Sequence, residues 1–181
     1  MSEKEIRDYS AAKGFHPQTL ERWLSWQPDD AGALARLAIA LKISENHLRD
    51  LMDWLEEIAL RDRQSIQAIL ASKSVEDFAT DPRLGRADRL KRIKEQLRRL
   101  RFPRLAETED RIHAKIHDLK LHPEIRLSVP PGLEGGQLRV EFTAASHDEL
   151  RELAARLQEA TEKAGMPEIF ALLAGQSTKQ S

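Results

Sequence analysis

The spacing of apolar residues along the first 80 positions predicts a series of short amphipathic helices. Apolar residues recur every three or four positions in five segments, which we place at residues 6–13, 17–26, 33–41, 45–61 and 63–71. Gly14 ends the first segment and Pro17 opens the second, while residues 27–30 are expected to interrupt the chain. Residues 1–80 therefore form an all-helical module in this prediction.

The pattern changes after residue 104, where helical and alternating segments are combined. A helix predicted at 107–119 is followed by residues 125–129 and 138–142, in which apolar and polar residues alternate. The stretch PPGLEGGQ separates these two segments and is typical of a hairpin loop. Ser146 and Glu149 have the spacing of a capping box, which opens a helix with its apolar residues directed inward: Leu150, Leu153, Ala154 and Leu157.

The predicted fold class is therefore mainly α (α+β). Its parts are a helix-turn-helix module at 1–80, a basic connecting helix at 81–104, a small α-β-β-α unit at 105–174 and a frayed tail at 175–181.

A unit with only two strands leaves both sheet edges open, which favours pairing with a second copy of the chain. We therefore expect a homodimer, with the hairpin edge packing on the N-terminal module as the alternative. The residues assigned to dimerisation are the apolar ones of the two strands and the following helix: Leu127, Val129, Leu138, Val140, Phe142, Leu150, Leu153 and Leu157.

Residues 37–48, LAIALKISENHL, have the spacing of a helix-turn-helix, which places a short helix in the major groove of DNA. Ala38 is small where the two helices cross, and Ser44 occupies the expected N-cap of the second helix. The turn position usually taken by glycine is Lys42, which must adopt a left-handed conformation or change the turn.

The charge distribution points to the same class of partner. The net charge is −1, but residues 83–104 contain ten Lys or Arg against two acidic residues, so they carry +8 and the remainder −9. Such a segment attracts a polyanion in a salt-dependent way. The alternative is a solvated amphipathic linker helix whose apolar stripe is Leu90, Ile93, Leu97 and Leu100.

The candidate DNA contacts divide into two groups. At the start of the second helix, Asn46 and Arg49 are suited to adenine and guanine edges, with Ser44 and His47 beside them. Contacts to the phosphate backbone are assigned to cations of the basic segment: Arg83, Arg86, Arg89, Arg92 and Lys94. The alternative for residues 44–49 is an ordinary capped helix start on the surface.

Two stretches resemble parts of the ParB-type partition proteins of bacterial chromosomes and plasmids. Residues 34–62, LARLAIALKISENHLRDLMDWLEEIALRD, resemble the family's helix-turn-helix with its long following helix. Residues 109–157, EDRIHAKIHDLKLHPEIRLSVPPGLEGGQLRVEFTAASHDELRELAARL, resemble its C-terminal dimerisation unit. The resemblance implies sequence-directed DNA binding by a dimer. The family's nucleotide-binding domain, with its Gly-Glu-Arg-Arg-type motif, has no counterpart in the sequence, so no nucleotide switch is implied.

Other chemistry has little support in the sequence. The absence of cysteine excludes disulfides, thiolate catalysis and cysteine-bound zinc. His113 and His117 are four residues apart, with Glu109 and His122 nearby, but HAKIH lacks the glutamate of a zinc protease. We expect no metal, no cofactor and no enzymatic activity, and we assign Trp23, Trp26 and Trp54 to core packing rather than to base stacking.

The expected function is that of a homodimeric DNA-binding protein acting in DNA organisation or transcriptional regulation. The expected partner is double-stranded DNA, with no small-molecule substrate and no membrane. The N-terminal sequence lacks a signal peptide and no apolar run approaches the roughly 20 residues of a membrane span, so a cytoplasmic location is expected. The alternative is a non-catalytic interaction adaptor whose helical module binds a protein partner.

Overall fold

The computed structural model describes residues 2–175, which divide into two compact units on either side of the boundary between Phe102 and Pro103. We call them the helical unit (residues 2–102) and the mixed unit (residues 103–175). The fold is mainly helical with a small antiparallel sheet. None of the helices in the described part of the chain is long and apolar enough to cross a membrane. Of the tail predicted to fray, residues 176–181 lie outside the described residues.

The helical unit is built around its third and fourth helices. Ala35 and Ala38 on the third helix are fully buried, and their small side chains let neighbouring helices approach closely. Leu48, Leu51 and Leu55 on the fourth helix complete the same core. Within residues 2–102 the helices are α1 (Glu3–Lys13), α2 (Pro17–Leu24), α3 (Pro28–Leu41), α4 (Glu45–Asp62), α5 (Ile66–Leu70), α6 (Lys73–Thr80) and α7 (Arg86–Arg101).

The start of α3 corrects one prediction from the sequence. The interruption lies at residues 25–27, whereas residues 28–30 already belong to α3, because Pro28 is its first residue. Proline is tolerated there since the N–H groups of the first turn have no partner within the helix. Asp29 and Asp30 follow in the same turn, where the positive end of the helix dipole favours carboxylates. Residues 28–30, which the sequence pattern predicts as part of an interruption, therefore form the first turn of α3.

The basic helix is shorter than predicted and is packed against its neighbours. Asp81 accepts hydrogen bonds from the backbone N–H and guanidinium of Arg83, which closes a turn, and Gly85 forms the N-cap. Ile93 and Leu97 are fully buried in the core shared with α4. The basic helix α7 is thus part of the helical unit, which differs from the separate connecting helix expected at 81–104.

The mixed unit confirms the predicted hairpin. Leu127 pairs with Val140 at the centre of the antiparallel sheet, and residues 131–136 form the loop. The last helix packs on the first through buried Met166, Ile169 and Leu172. Within residues 103–175 the elements are α8 (Pro103–Asp118), β1 (Arg126–Ser128), β2 (Arg139–Glu141), α9 (His147–Glu162) and α10 (Gly165–Leu173).

Helix α9 differs from its prediction in one respect. Ser146 caps it as expected, since its hydroxyl accepts from the N–H of Glu149 at 3.1 Å. Leu153 is buried, but Leu150 and Ala154 are exposed and do not face the core of this unit. The prediction that both point inward is therefore wrong, because the unit presents too little surface to cover this side of α9.

Candidate nucleic-acid interface

The turn between α3 and α4 has the backbone geometry that the sequence pattern requires. Lys42 adopts the left-handed conformation, with φ 54° and ψ 44°. The N–H of Ile43 donates to the Ala38 carbonyl at 3.0 Å and that of Lys42 donates to the Ile39 carbonyl at 3.2 Å. These two bonds form a Schellman motif, a common helix ending that usually has glycine where this chain has Lys42. The turn therefore forms without glycine, at a conformational cost.

Helix α1 supports this turn from one side. The hydroxyl of Tyr9 shares its proton between the carbonyls of Ala38 and Ile43, at 2.9 and 2.8 Å. The ammonium of Lys13 donates to the Lys42 carbonyl at 3.2 Å. Burial raises the pKa of Tyr9, because desolvation disfavours the phenolate. Sequence reasoning did not identify Tyr9 as a functional support, since these contacts span about thirty residues of sequence.

The first turns of α4 expose the residues that were predicted to contact bases. Ser44, Asn46, His47 and Arg49 are all exposed, whereas Leu48 beside them is fully buried. Ser44 occupies the N-cap with extended backbone angles, but its side chain makes no capping hydrogen bond. Its hydroxyl is therefore available to an external partner.

Glu45, the acidic residue in the first turn of α4, is hydrogen-bonded within the protein. The carboxylate of Glu45 accepts from the hydroxyl of Thr19 at 2.6 Å and from the backbone N–H of His16 at 2.9 Å. These bonds lower the pKa of Glu45, with the Thr19 hydroxyl as the largest cause. Glu45 thus ties α4 to the start of α2.

The basic helix lies beside this turn. The ammonium of Lys94 donates to the Asp50 carboxylate at 2.8 Å and lies 3.5 Å from Nδ1 of His47. It also lies 5.2 Å from the ring centroid of Trp54, within cation–π distance. Lys94 therefore neutralises the second acidic residue of the α4 start and joins α7 to it.

An open groove of about 690 Å³ runs between these two helices. His47 and Trp54 line it from α4, while Lys91, Arg92 and Lys94 line it from α7. Two acidic residues also line the groove, Asp88 and Glu95, and the latter pairs with Arg98 at 2.8 Å. We call these surroundings the cationic groove.

The predicted phosphate contacts differ in how available they are. Arg83 is paired with Asp81 at 2.8 Å, and this pairing lowers the pKa of Asp81 to about 2. Arg89 is half-buried and donates to the carbonyls of Leu84 and Ala79, so it holds the end of α6 and the following turn. The structure therefore gives Arg83 and Arg89 internal partners.

Three cations of α7 are exposed and have no ion pair among the residues that the structure describes: Arg86, Lys91 and Arg92. Lys91 was not among the predicted contacts, although it lies in the same run of charge. The run alone could have identified it, because the exposed positions of a packed helix are those away from its apolar stripe. Two of these three residues, Lys91 and Arg92, line the cationic groove.

The residues assigned to dimerisation have two different environments. Leu127 and Leu153 are buried in the core of the mixed unit. Val140 and Leu150 are exposed, by 39% and 45%. The remaining four, Val129, Leu138, Phe142 and Leu157, are half-buried against the same core.

The remaining candidates from the sequence are the histidines considered as metal ligands and the tryptophans considered for base stacking. Among the described residues, no group of three or more histidine, aspartate or glutamate side chains is arranged to hold a metal ion. Trp23 is fully buried and its indole N–H donates to the Ala31 carbonyl at 3.2 Å. Trp26 and Trp54 are half-buried, and Trp26 donates to Glu56 at 2.7 Å.

Comparison of the chain with protein-family models, with curated proteins and with solved structures gave no match in any of the three.

Proposed function

We propose that this protein is a homodimeric DNA-binding protein that acts in DNA organisation or transcriptional regulation. The observation that carries the proposal is the position of the cationic groove, which joins the exposed first turns of α4 to the unpaired cations of α7. A helix start with exposed hydrogen-bonding side chains beside available cations has the two components of a DNA interface, base reading and backbone attraction.

In this proposal the first turns of α4 enter the major groove. Asn46 offers an amide for the N6 and N7 edge of adenine, and Arg49 offers a guanidinium for O6 and N7 of guanine. The pairing of Asp50 with Lys94 supports this role, because the ammonium offsets the charge of a carboxylate that would otherwise repel the phosphates.

The cations of α7 supply the salt-dependent part of the affinity. If Arg86, Lys91 and Arg92 each neutralise one phosphate, the logarithm of the association constant falls by about 3 per tenfold rise in salt, per protomer. The internal partners of Arg83 and Arg89 make these residues weaker contributors.

Dimerisation is assigned to the mixed unit. Val140 on β2 and Leu150 on α9 are large apolar side chains exposed to solvent, and covering them with a second copy would remove apolar area from water. A two-fold dimer would present two copies of α4 and favour a pseudo-palindromic site. The resemblance to partition proteins, without a nucleotide switch, is compatible with this arrangement.

The first test is binding of the purified chain to random duplex DNA across a salt series, with light scattering for its mass. We expect a mass of twice 20.6 kDa and an affinity that falls steeply with salt. A chain that does not bind duplex DNA at low salt would contradict the proposal and favour the interaction adaptor.

Matched variants make the test specific. Replacing Arg86 and Arg92 with Gln should reduce the salt slope by about 2, since each removes one phosphate contact. The control replaces Lys4 and Arg63, two exposed cations elsewhere on the helical unit, and should leave the slope unchanged. Equal losses in both variants would show that only net charge matters.

Base reading needs a separate measurement. Selection from a random-sequence pool should yield a preferred site, and Asn46→Ala should weaken binding to it by about 1–3 kcal/mol while leaving non-specific affinity unchanged. Failure of the pool to converge on any sequence would contradict the role of α4 and leave only non-specific attraction.

A further inference from the structure

The mixed unit contains a second groove, of about 820 Å³, that the proposed function does not use. One wall is a face of α8 formed by His113, Ile116 and His117, which lie at helical spacing. The other wall is formed by the three consecutive residues 125–127, at the beginning of β1. The connection between them contributes the remaining lining residues: Lys120, Leu121 and His122.

The lining places the groove at the start of β1. Successive side chains of a strand point to opposite faces of the sheet, and here Arg126 is exposed while Leu127 is buried. A groove lined by both residues therefore meets the start of the strand at its edge and does not lie on one face. The opposite edge of β1 pairs with β2, and the described sheet has no third strand. The groove thus meets β1 at the edge that pairs with no other described strand, where a partner strand could add.

The charge of this groove is one-sided. Three histidines, Lys120 and Arg126 line it, and no acidic side chain among the described residues does so. The two nearest carboxylates in sequence are Asp118, which lies 3.8 Å from Nδ1 of His117, and Glu124, which pairs with Arg156. Beneath the cations the floor is apolar, formed by Ile116, Leu121, Ile125 and Leu127. An anionic partner with apolar side chains complements both features.

We propose that this groove, which we call the strand-edge groove, docks an extended peptide of a partner protein in which acidic and apolar residues alternate. Such a peptide adds a strand to β1, directs its apolar side chains to the floor and places its carboxylates against Lys120 and Arg126. A peptide fits better than a nucleic acid, because phosphates would leave the apolar floor and the strand edge without complementary groups. This inference does not depend on the proposed binding of DNA.

The test measures fluorescence anisotropy of a labelled octapeptide that alternates Glu and Val, added to the full chain. Two control peptides have Lys in place of Glu, or the same residues with all Glu before all Val. Lys120→Glu should weaken binding about fivefold or more, since one attraction becomes a repulsion. Arg104→Glu makes the same change of charge in the first turn of α8, away from the groove, and should leave binding unchanged.

Pairing with the strand edge is tested by methylating backbone nitrogens of the peptide. Two peptides are compared, one methylated at the odd-numbered residues and one at the even-numbered residues. In an extended peptide only one of these sets has its N–H groups directed at β1, so one methylated peptide should lose binding and the other should retain it. Equal binding of both methylated peptides would show that the strand edge takes no part and would overturn the proposal.

Four other outcomes would also overturn it. The first is that the Lys peptide binds as tightly as the Glu peptide, and the second is that Arg104→Glu weakens peptide binding as much as Lys120→Glu does. The third is that peptide binding is lost in the variant with Arg86→Gln and Arg92→Gln but not in Lys120→Glu. The fourth is that a dimer of the chain dissociates when the peptide is added. The third would place the peptide on α7, and the fourth would assign the edge to a second copy of the chain. A fifth outcome overturns the proposal as well: if Lys120→Glu reduces affinity for duplex DNA but not for the peptide, the groove is a nucleic-acid site.

Discussion

Replacing Lys42 with glycine tests whether the turn between α3 and α4 carries a conformational cost. Lys42 has φ 54°, and its side chain makes no hydrogen bond or ion pair within the described residues. A side chain with a Cβ pays about 1–2 kcal/mol in this region. Glycine avoids that cost but loses about 0.5–1 kcal/mol more entropy on folding. The expected net stabilisation is about 0.5–1 kcal/mol.

The assay follows from the distribution of tryptophan. All three tryptophans, Trp23, Trp26 and Trp54, lie in the helical unit, so intrinsic fluorescence during urea unfolding reports on that unit alone. With a denaturant dependence of about 1–3 kcal/mol per molar urea, Lys42→Gly should raise the midpoint by about 0.5 M.

The control for this prediction is Lys42→Ala. Alanine removes the same charge but keeps a Cβ in the left-handed region, so the midpoint should not rise. The hydrogen bonds that the side chains of Tyr9 and Lys13 donate to backbone carbonyls of the turn remain possible in both variants. If glycine and alanine give the same midpoint, or if glycine lowers it, the turn is not strained and the reasoning is wrong.

Two further predictions concern the acidic residues at the start of α4. Asp50→Asn removes the carboxylate partner of Lys94. The affinity for random duplex DNA, measured by fluorescence anisotropy, should therefore rise severalfold at 50 mM salt, and this gain should diminish toward 200 mM. A lower affinity of the variant would mean that Asp50 is needed to orient Lys94. Thr19→Val removes the hydroxyl that lowers the pKa of Glu45, so that pKa should rise toward its ordinary value of 4.5 in a carboxyl NMR titration. Because the folded-state pKa is depressed, this interaction stabilises the fold above pH 4.5 and is lost as the pH falls below it, so the variant should lose less stability over that window. A pKa of Glu45 unchanged by the substitution would contradict the assigned cause.

Local patterns predicted most of the helices and the hairpin, because the periods of 3.6 and 2 residues reflect which side chains a segment buries. Helix boundaries were mispredicted where one residue type occurs at both the end and the start of helices. Pro28 can end one helix or begin the next, because proline breaks the interior of a helix but is tolerated in its first turn. The exposed Leu150 shows the same limit, since an apolar residue on a helical stripe does not reveal whether its own unit has enough surface to cover it.

The candidate interface was only partly accessible from the sequence. The run of arginines was evident, but the hydrogen bonds that engage Arg89 with the carbonyls of Ala79 and Leu84 were not. The position of Lys94 between His47 and Asp50 was equally hidden, because Lys94 is 47 and 44 residues away from them in the sequence. Charge counting therefore treats paired and unpaired cations alike.

By itself, the sequence determined the mainly helical class, most of the helices, the hairpin and the location of positive charge. These properties depend on residues close together in the chain, where spacing and turn chemistry act directly. The tertiary structure alone decided which cations are available, how Tyr9 and Glu45 support the turn and the start of α4, and that a groove forms between α8 and the start of β1. Those outcomes depend on contacts between distant segments, and a side chain's partner is set only when packing brings the two segments together.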